Sequence, residues 1–190
     1  LEDFAPLLRK TLEETDSLLV VCNKKEEAQS IFTQAGELPC RKFYLSASMC
    51  MAHRRTALDE LKASIDPNNP GKTLCVSTQV IEAGVDISFG RVIRLTAGMD
   101  SVVQAAGRCN RNGESEIPAR VQVVRCVDEN LNCLQDIKRG KNASISLLRE
   151  FALHPESYRN DLTSDEAIST YYHFLYGDFP DGLQDGPVRT

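Results

Sequence analysis

The sequence predicts an α/β fold: a parallel sheet covered by helices on both faces, followed by a C-terminal helical extension. Three observations point to it. Short runs rich in Val, Ile and Leu, each of strand length, recur up to Val127. Amphipathic segments of helical spacing separate the first of these runs. Beyond Val127 no convincing strand follows. Strands alternating with helices need crossover connections, and the resulting sheet buries both its faces.

Taken in order, Ser17–Cys22 is the first apolar run. Residues 24–35 place Ala28, Ile31, Phe32 and Ala35 at helical spacing. Lys42–Leu45 is the second strand candidate, and residues 54–65 repeat the helical pattern with Ala57, Leu58, Leu61 and Ile65. Two prolines and a glycine mark residues 66–71 as a loop. Residues 73–77, Arg91–Leu95 and residues 121–127 supply three more strands. A helix beginning at Ser101, with Asp100 as N-cap, precedes the last of them. Residues 144–152 and Ser164–Tyr176 read as helices, the second with Ser164 as N-cap and Gly177 just past its end. Residues 178–190 hold two prolines, two glycines and three aspartates and are expected to fray. The expected division is a sheet domain over residues 1–130 and a helical connector and tail over 131–190.

Composition narrows the class. The chain has 190 residues, 42% apolar and 26% charged, so whole-chain disorder is excluded. No apolar run approaches the roughly 20 residues of a membrane span. Lys and Arg number 22 against 27 Asp and Glu, which excludes a surface coated in basic charge. The balance is uneven. Residues 1–71 carry nine basic and eleven acidic groups, residues 72–112 five and three, and residues 113–190 eight and thirteen. Only the middle stretch is positive. The seven cysteines form no CxxC and the three histidines are scattered, which argues against a zinc site. Cys22, Cys75 and Cys126 lie in apolar runs and read as small buried hydrophobes. Reduced thiols suit a cytoplasmic protein. The opening Leu1-Glu2-Asp3-Phe4 has neither initiator Met nor leader, so the chain is read as a piece of a longer one.

Two segments carry chemistry. In Asp100–Gly113, Gln104, Arg108 and Arg111 stand at i, i+4 and i+7, one face if the helix runs through. Val103 and Ala106 are then expected to face a core. Gly107 costs about 1 kcal/mol in a helix relative to Ala, which makes sense where a backbone or a phosphate must come close. Two guanidiniums beside a glutamine and a glycine suit a polyphosphate. The alternative is a solvated face whose arginines pair with local acids. No acid lies between Asp100 and Glu114, however, so neither arginine has an i±4 partner of its own. In Val76–Ile87 an apolar strand delivers Ser77 and Thr78 at its C-terminal end, where open parallel sheets bind ligands. Gly84 permits a turn, and Asp86 offers a carboxylate to a ribose hydroxyl. A strand, a turn and a capping aspartate are the bland alternative.

Thr78, Gly84-Val-Asp86 and Gln104-Ala-Ala-Gly107-Arg108-Cys-Asn-Arg111 resemble motifs V and VI of superfamily 2 helicases. The wording STQVIEAGVDISF and QAAGRCNRNGE is similar to the CRISPR-associated helicase-nuclease of type I systems. Tyr44–Met49 followed by His53-Arg54-Arg55 resembles a further motif of that family, and Val20–Asn23 the opening strand of its second RecA-like domain. The resemblance spans about residues 17–127. It implies a RecA-like sheet and the second motor lobe of an ATP-dependent single-stranded DNA translocase acting in CRISPR interference.

It also implies roles. Arg108 and Arg111 would reach the phosphates as arginine fingers. Gly84, Asp86, Gln104 and Gly107 would line the nucleotide. Ser77, Thr78, Ser46 and Arg54 would hold the DNA backbone. The implied partners are single-stranded DNA, a first RecA-like domain, a nuclease domain and a CRISPR effector complex. ATP and Mg2+ would be held mainly by the first lobe and none tightly by this chain. The chain's own motifs agree with a half site. Gly71-Lys72-Thr73 lacks the first glycine of GxxxxGK[ST], because residue 66 is Asp, and it runs into a strand where a P-loop runs into a helix. Asp59-Glu60 sits in a helical pattern, not at a strand end. No His-Asp pair is present. The chain alone is therefore expected to be inactive. The helical remainder, resembling the family's connector, is too acidic on balance to suggest a DNA track. It is expected instead to dock against other domains, with Tyr171-Tyr172-His173-Phe174 exposed. A lobe of a DNA-repair or restriction translocase, or a non-catalytic binding domain, remains the alternative.

Overall fold

A computed structural model describes residues 4–81, 86–109, 120–126 and 129–177. The sheet is parallel throughout, five-stranded, and ordered β2-β3-β1-β4-β5. Its strands are β1 (Ser17–Cys22), β2 (Arg41–Leu45), β3 (Thr73–Thr78), β4 (Arg91–Leu95) and β5 (Arg120–Val124). The helices among the described residues are α1 (Ala5–Glu13), α2 (Lys25–Gln34), α3 (Met51–Ile65), α4 (Met99–Ala106), α5 (Gln135–Leu153) and α6 (Asp165–Tyr176).

Period-two alternation splits the sheet's side chains between two cores. Leu18, Val20, Leu74, Val76, Ile93 and Leu95 pack with Leu8 and Leu12 of α1 and with Ala28 and Ile31 of α2. Leu19, Val21, Cys75 and Val92 pack on the opposite face with Leu61 of α3 and Ala105 of α4. The central strands β1, β3 and β4 are buried almost end to end, which explains their unbroken apolar runs. The predicted fold class is the observed one.

Several boundaries move. The helix expected from residue 54 starts at Met51. The helix expected over residues 144–152 is the inner part of the nineteen-residue α5. Gly140 hid its first half. That glycine is explained by the backbone of Gly98, whose Cα would lie 3.0 Å from a Cβ added there. Helix α1 was not anticipated, although Leu8 and Leu12 stand at i, i+4 and are both buried. Ser164 caps α6 as expected, accepting from the amide of Ala167 at 3.2 Å.

The described chain forms two compact units, residues 1–96 with 100–130, and residues 97–99 with 131 onward. The second has its own core of Ala143, Leu147, Tyr158, Ala167 and Tyr171. Tyr171 is thus buried, not exposed as expected, while Tyr172 remains 47% exposed. Helical periodicity separates the two neighbours by about 100° and puts only one on the core side. Among the described residues no helix is long and apolar enough to cross a membrane.

Candidate nucleic-acid and nucleotide interface

Parallel pairing aligns three strand ends. Cys22 is level with Thr78, and Leu45 with Ser77. The next residues, Asn23 and Ser46, therefore emerge beside Thr78 at the carboxyl edge of the sheet. There they line a cavity of about 410 Å³ together with Lys25, Ser48 and Gln79. Lys25 enters at the first turn of α2, whose amides point the same way. Ser46 Oγ and Ser48 Oγ share a hydrogen bond of 2.9 Å. Thr78 Oγ1 is buried without a hydrogen-bond partner among the described residues. A buried hydroxyl left this way is costly unless something supplies the missing bond.

The other two expected DNA contacts have different geometry. Ser77 is fully buried and donates its hydroxyl to the carbonyl of Thr78 at 2.7 Å, so it shapes the strand end. Arg54 Nη2 donates to the carbonyls of Ala47 (3.2 Å) and Met49 (3.3 Å). It ties the turn carrying Ser46 and Ser48 to α3.

Beneath this edge lies a polar network that the sequence reading missed. Arg94, wholly buried on β4, donates through Nη1 to Asn23 Oδ1 at 2.7 Å and to the carbonyl of Leu95 at 2.8 Å. Asn23 Nδ2 donates to the carbonyl of Thr96 at 3.0 Å and to Glu129 Oε1 at 2.7 Å. Glu27 accepts from the amide of Lys24 at 3.1 Å. Burial, then the charge and hydrogen bond of Glu129, push the Glu27 carboxyl up to about 7.

The sign of the linkage follows. Native Glu27 holds its proton where the unfolded chain, at an ordinary 4.5, has released it. Its contribution to stability is therefore full at acid pH, is lost as pH rises between about 4.5 and 7, and is flat above. Glu27→Gln should remove that part of the slope in urea midpoints measured across the range. An unchanged slope would contradict the proton-sharing pair.

The arginine segment departs from expectation. Helix α4 begins at Met99, so Asp100 sits in its first turn and is not the N-cap. A carboxylate there still meets the positive end of the helix dipole. The helix stops at Ala106. The amides of Arg108 and Cys109 turn to carbonyls three residues back, and the Arg108 carbonyl accepts from Phe89 at 2.8 Å. Cys109 then bridges to Phe89 in a parallel pair. Gln104 and Arg108 consequently do not continue one helical face: Gln104 is exposed and Arg108 only 7% exposed. The core-facing residue is Ala105, while Val103 is 48% exposed. Gly107 is exposed, and a Cβ there would meet Gln104 O at an ordinary 3.4 Å, so no described residue crowds it. Asp86 is exposed as well. Gly84 and Arg111 lie outside the described residues.

Lys72 has no phosphate-loop geometry: it leads into β3, and its ammonium donates to the carbonyl of Leu12. Asp59 and Glu60 lie within α3. Among the described residues no cluster of His, Cys, Asp and Glu forms a metal site. Cys22 and Cys75 are buried, with thiols pushed well above their ordinary range by that burial, whereas Cys126 is only half-buried.

The fold agrees with what the chain is similar to. A profile of the family described as CRISPR-associated nuclease/helicase Cas3, C-terminal, matches residues 14–114. A curated relative of that name, the CRISPR-associated nuclease/helicase Cas3 of Haloferax volcanii, is 67% identical over 39 residues, 20% of this chain and 4% of the relative. The crystal structure of T. fusca Cas3-ADP superposes with a TM-score of 0.65 at 18% identity, over 92% of this chain and 22% of that one. A chain of a CRISPR RNA-guided surveillance complex, pre-nicking, superposes with a TM-score of 0.62 at 19% identity, over 91% of this chain and 23% of that one. The structural likenesses bear on the RecA-like fold alone, and the chain spans about a fifth of those proteins. The profile covers more than half of the sequence, and the chain belongs to the C-terminal family of the CRISPR-associated nuclease/helicase Cas3.

Proposed function

We propose that the chain is the second motor lobe of an ATP-dependent helicase that translocates on single-stranded DNA in CRISPR interference. One observation carries this most directly: the unpartnered Thr78 hydroxyl in a cavity shared with Ser46, Ser48, Lys25 and Asn23 at the carboxyl edge of a parallel sheet. Hydroxyls and one ammonium suit a phosphodiester and read no base. In this assignment Thr78, Ser46 and Lys25 touch the DNA backbone, and Arg54 positions the turn that presents Ser46 and Ser48. Ser77 acts through the strand end.

On the nucleotide side, Gln104, Gly107 and Asp86, to which the resemblance gives ATP contacts, are exposed, and Arg108 is 7% exposed. Arg108 and Arg111 would neutralise charge on the phosphates, Gly84 would let the chain turn toward the ribose, and Asp86 would accept from its hydroxyl. ATP with Mg2+ supplies a phosphoryl group whose transfer drives movement. A P-loop is missing from this sequence, so hydrolysis requires the first lobe of the same protein. Its nuclease domain and a CRISPR effector complex complete the set of partners, in the cytoplasm.

The test uses full-length protein carrying Thr78→Val. The DNA concentration for half-maximal stimulation of ATP hydrolysis should rise by roughly tenfold, the equivalent of about 1.4 kcal/mol of lost hydrogen bonding to a charged group. The rate without DNA should stay as it was. A wild-type response to single strands would refute the sheet-edge site.

A further inference from the structure

Strand β3 ends at Thr78, and the chain continues at once into a single turn of 3-10 helix, Gln79–Ile81. Both ends of that turn are fixed. Before it, the Ser77 hydroxyl donates to the Thr78 carbonyl at 2.7 Å and so holds the peptide that leads into Gln79. At its last residue, Ile81 is wholly buried in the core cluster that also contains Leu45, Leu61 and Ala105 of α4. The backbone is therefore set, and the freedom that remains lies in the Gln79 side chain. A long polar side chain loses much rotamer freedom when a ligand holds it, so one that is already aimed binds better.

Gln79 is half-buried and borders the cavity at the carboxyl edge of the sheet, beside Thr78 and Ser46. Its Nε2 donates to Ser101 Oγ at 3.5 Å. Ser101 lies 22 residues further along, in the first turn of α4. A bond of this length is at the long limit and adds little to stability. What it sets is the direction of the amide. That amide has two protons, and among the described residues no acceptor takes the second. The described lining of the cavity includes Lys25 and no carboxylate, so the acceptor that suits it is an anionic oxygen. Neither Gln79 nor Ser101 is among the residues to which the resemblance gives a role.

We propose that Gln79 is a further contact to the DNA backbone, giving its second amide proton to a phosphodiester oxygen, and that Ser101 is the positioning residue that aims it. This rests on the sheet-edge site of the motor-lobe reading and adds to it a residue from α4.

The experiment uses the full-length protein, stimulated by a short oligothymidylate. It measures the DNA concentration for half-maximal ATP hydrolysis and, separately, the Michaelis constant for ATP. Gln79→Leu should raise the DNA value by about tenfold, the loss of a hydrogen bond to a charged group. Gln79→Glu, of the same size, should raise it further, because a carboxylate would face the phosphodiester. Ser101→Ala should raise it by about threefold, and Ser101→Thr, which keeps the hydroxyl, should restore the wild-type value. In the Gln79→Leu background Ser101→Ala should add nothing, since no amide is left to aim. The Michaelis constant for ATP should move by less than about twofold in Ser101→Ala. Equal rises in the two constants would make Ser101 a prop for α4, and additive effects of the two substitutions would show that they act separately; either overturns the proposal. An effect of Thr78→Val with none of Gln79→Leu overturns the proposal and leaves the sheet-edge site standing. No effect of Thr78→Val, Gln79→Leu or Ser101→Ala overturns both.

Discussion

Arg111→Ala in the full-length protein is expected to lower ATP turnover by on the order of a thousandfold while leaving the fold intact. The size comes from what a guanidinium contributes to phosphoryl transfer, where charge spread over the equatorial oxygens is stabilised by a group already in place. One feature favours Arg111 over Arg108 for this role. Arg108 is 7% exposed, with its carbonyl held by Phe89, which suits a supporting position more than a finger that enters from outside. The turnover number should fall far more than the Michaelis constant rises, because the contact strengthens in the transition state. Arg111→Lys should recover little, since a point charge cannot reproduce the fork. Unchanged turnover in Arg111→Ala would remove the finger assignment.

The largest effect on stability is expected from Asn23→Ala. This one amide accepts from the wholly buried Arg94, at 2.7 Å, and donates to Glu129 and to the carbonyl of Thr96. Truncation takes away three hydrogen bonds at once and weakens the solvation of a buried cation. Breaking a buried charged network costs several kcal/mol, and hydrogen bonds to charged groups about 1.5–3 kcal/mol each. A loss of roughly 2–4 kcal/mol should appear as a lower urea midpoint. Lys25→Ala, an exposed neighbour, should change it by less than about 0.5 kcal/mol. Equal effects of the two would show that the network under the sheet edge is dispensable.

The elements of the fold that were legible in the sequence share one property: they repeat with a period. The unbroken run of β1 and the spacing of Ala28 and Ile31 announced a buried parallel strand and the helix that covers it. The motif around Thr78, Gly84, Asp86, Gln104 and Arg108 was legible for a different reason. Ligand chemistry limits the residue types, and their order is set by the chain itself. What could not be seen was any arrangement that joins distant segments. Arg94 reads as an interruption in an apolar strand until Asn23 and Glu129 are brought to it. The end of α4 was misjudged because its stop signal lies at Phe89, outside the helix.

Alternation and spacing are local, so the sequence by itself determined the parallel α/β architecture, the family and the residue types available at each strand end. Register, burial and side-chain direction depend on contacts between segments far apart along the chain. Only the tertiary structure therefore decided that Thr78, Ser46 and Lys25 share one cavity, that the Ser77 hydroxyl bonds the carbonyl of Thr78 and the Arg54 guanidinium those of Ala47 and Met49, and that Arg108 lies inside the surface while Gln104 lies on it.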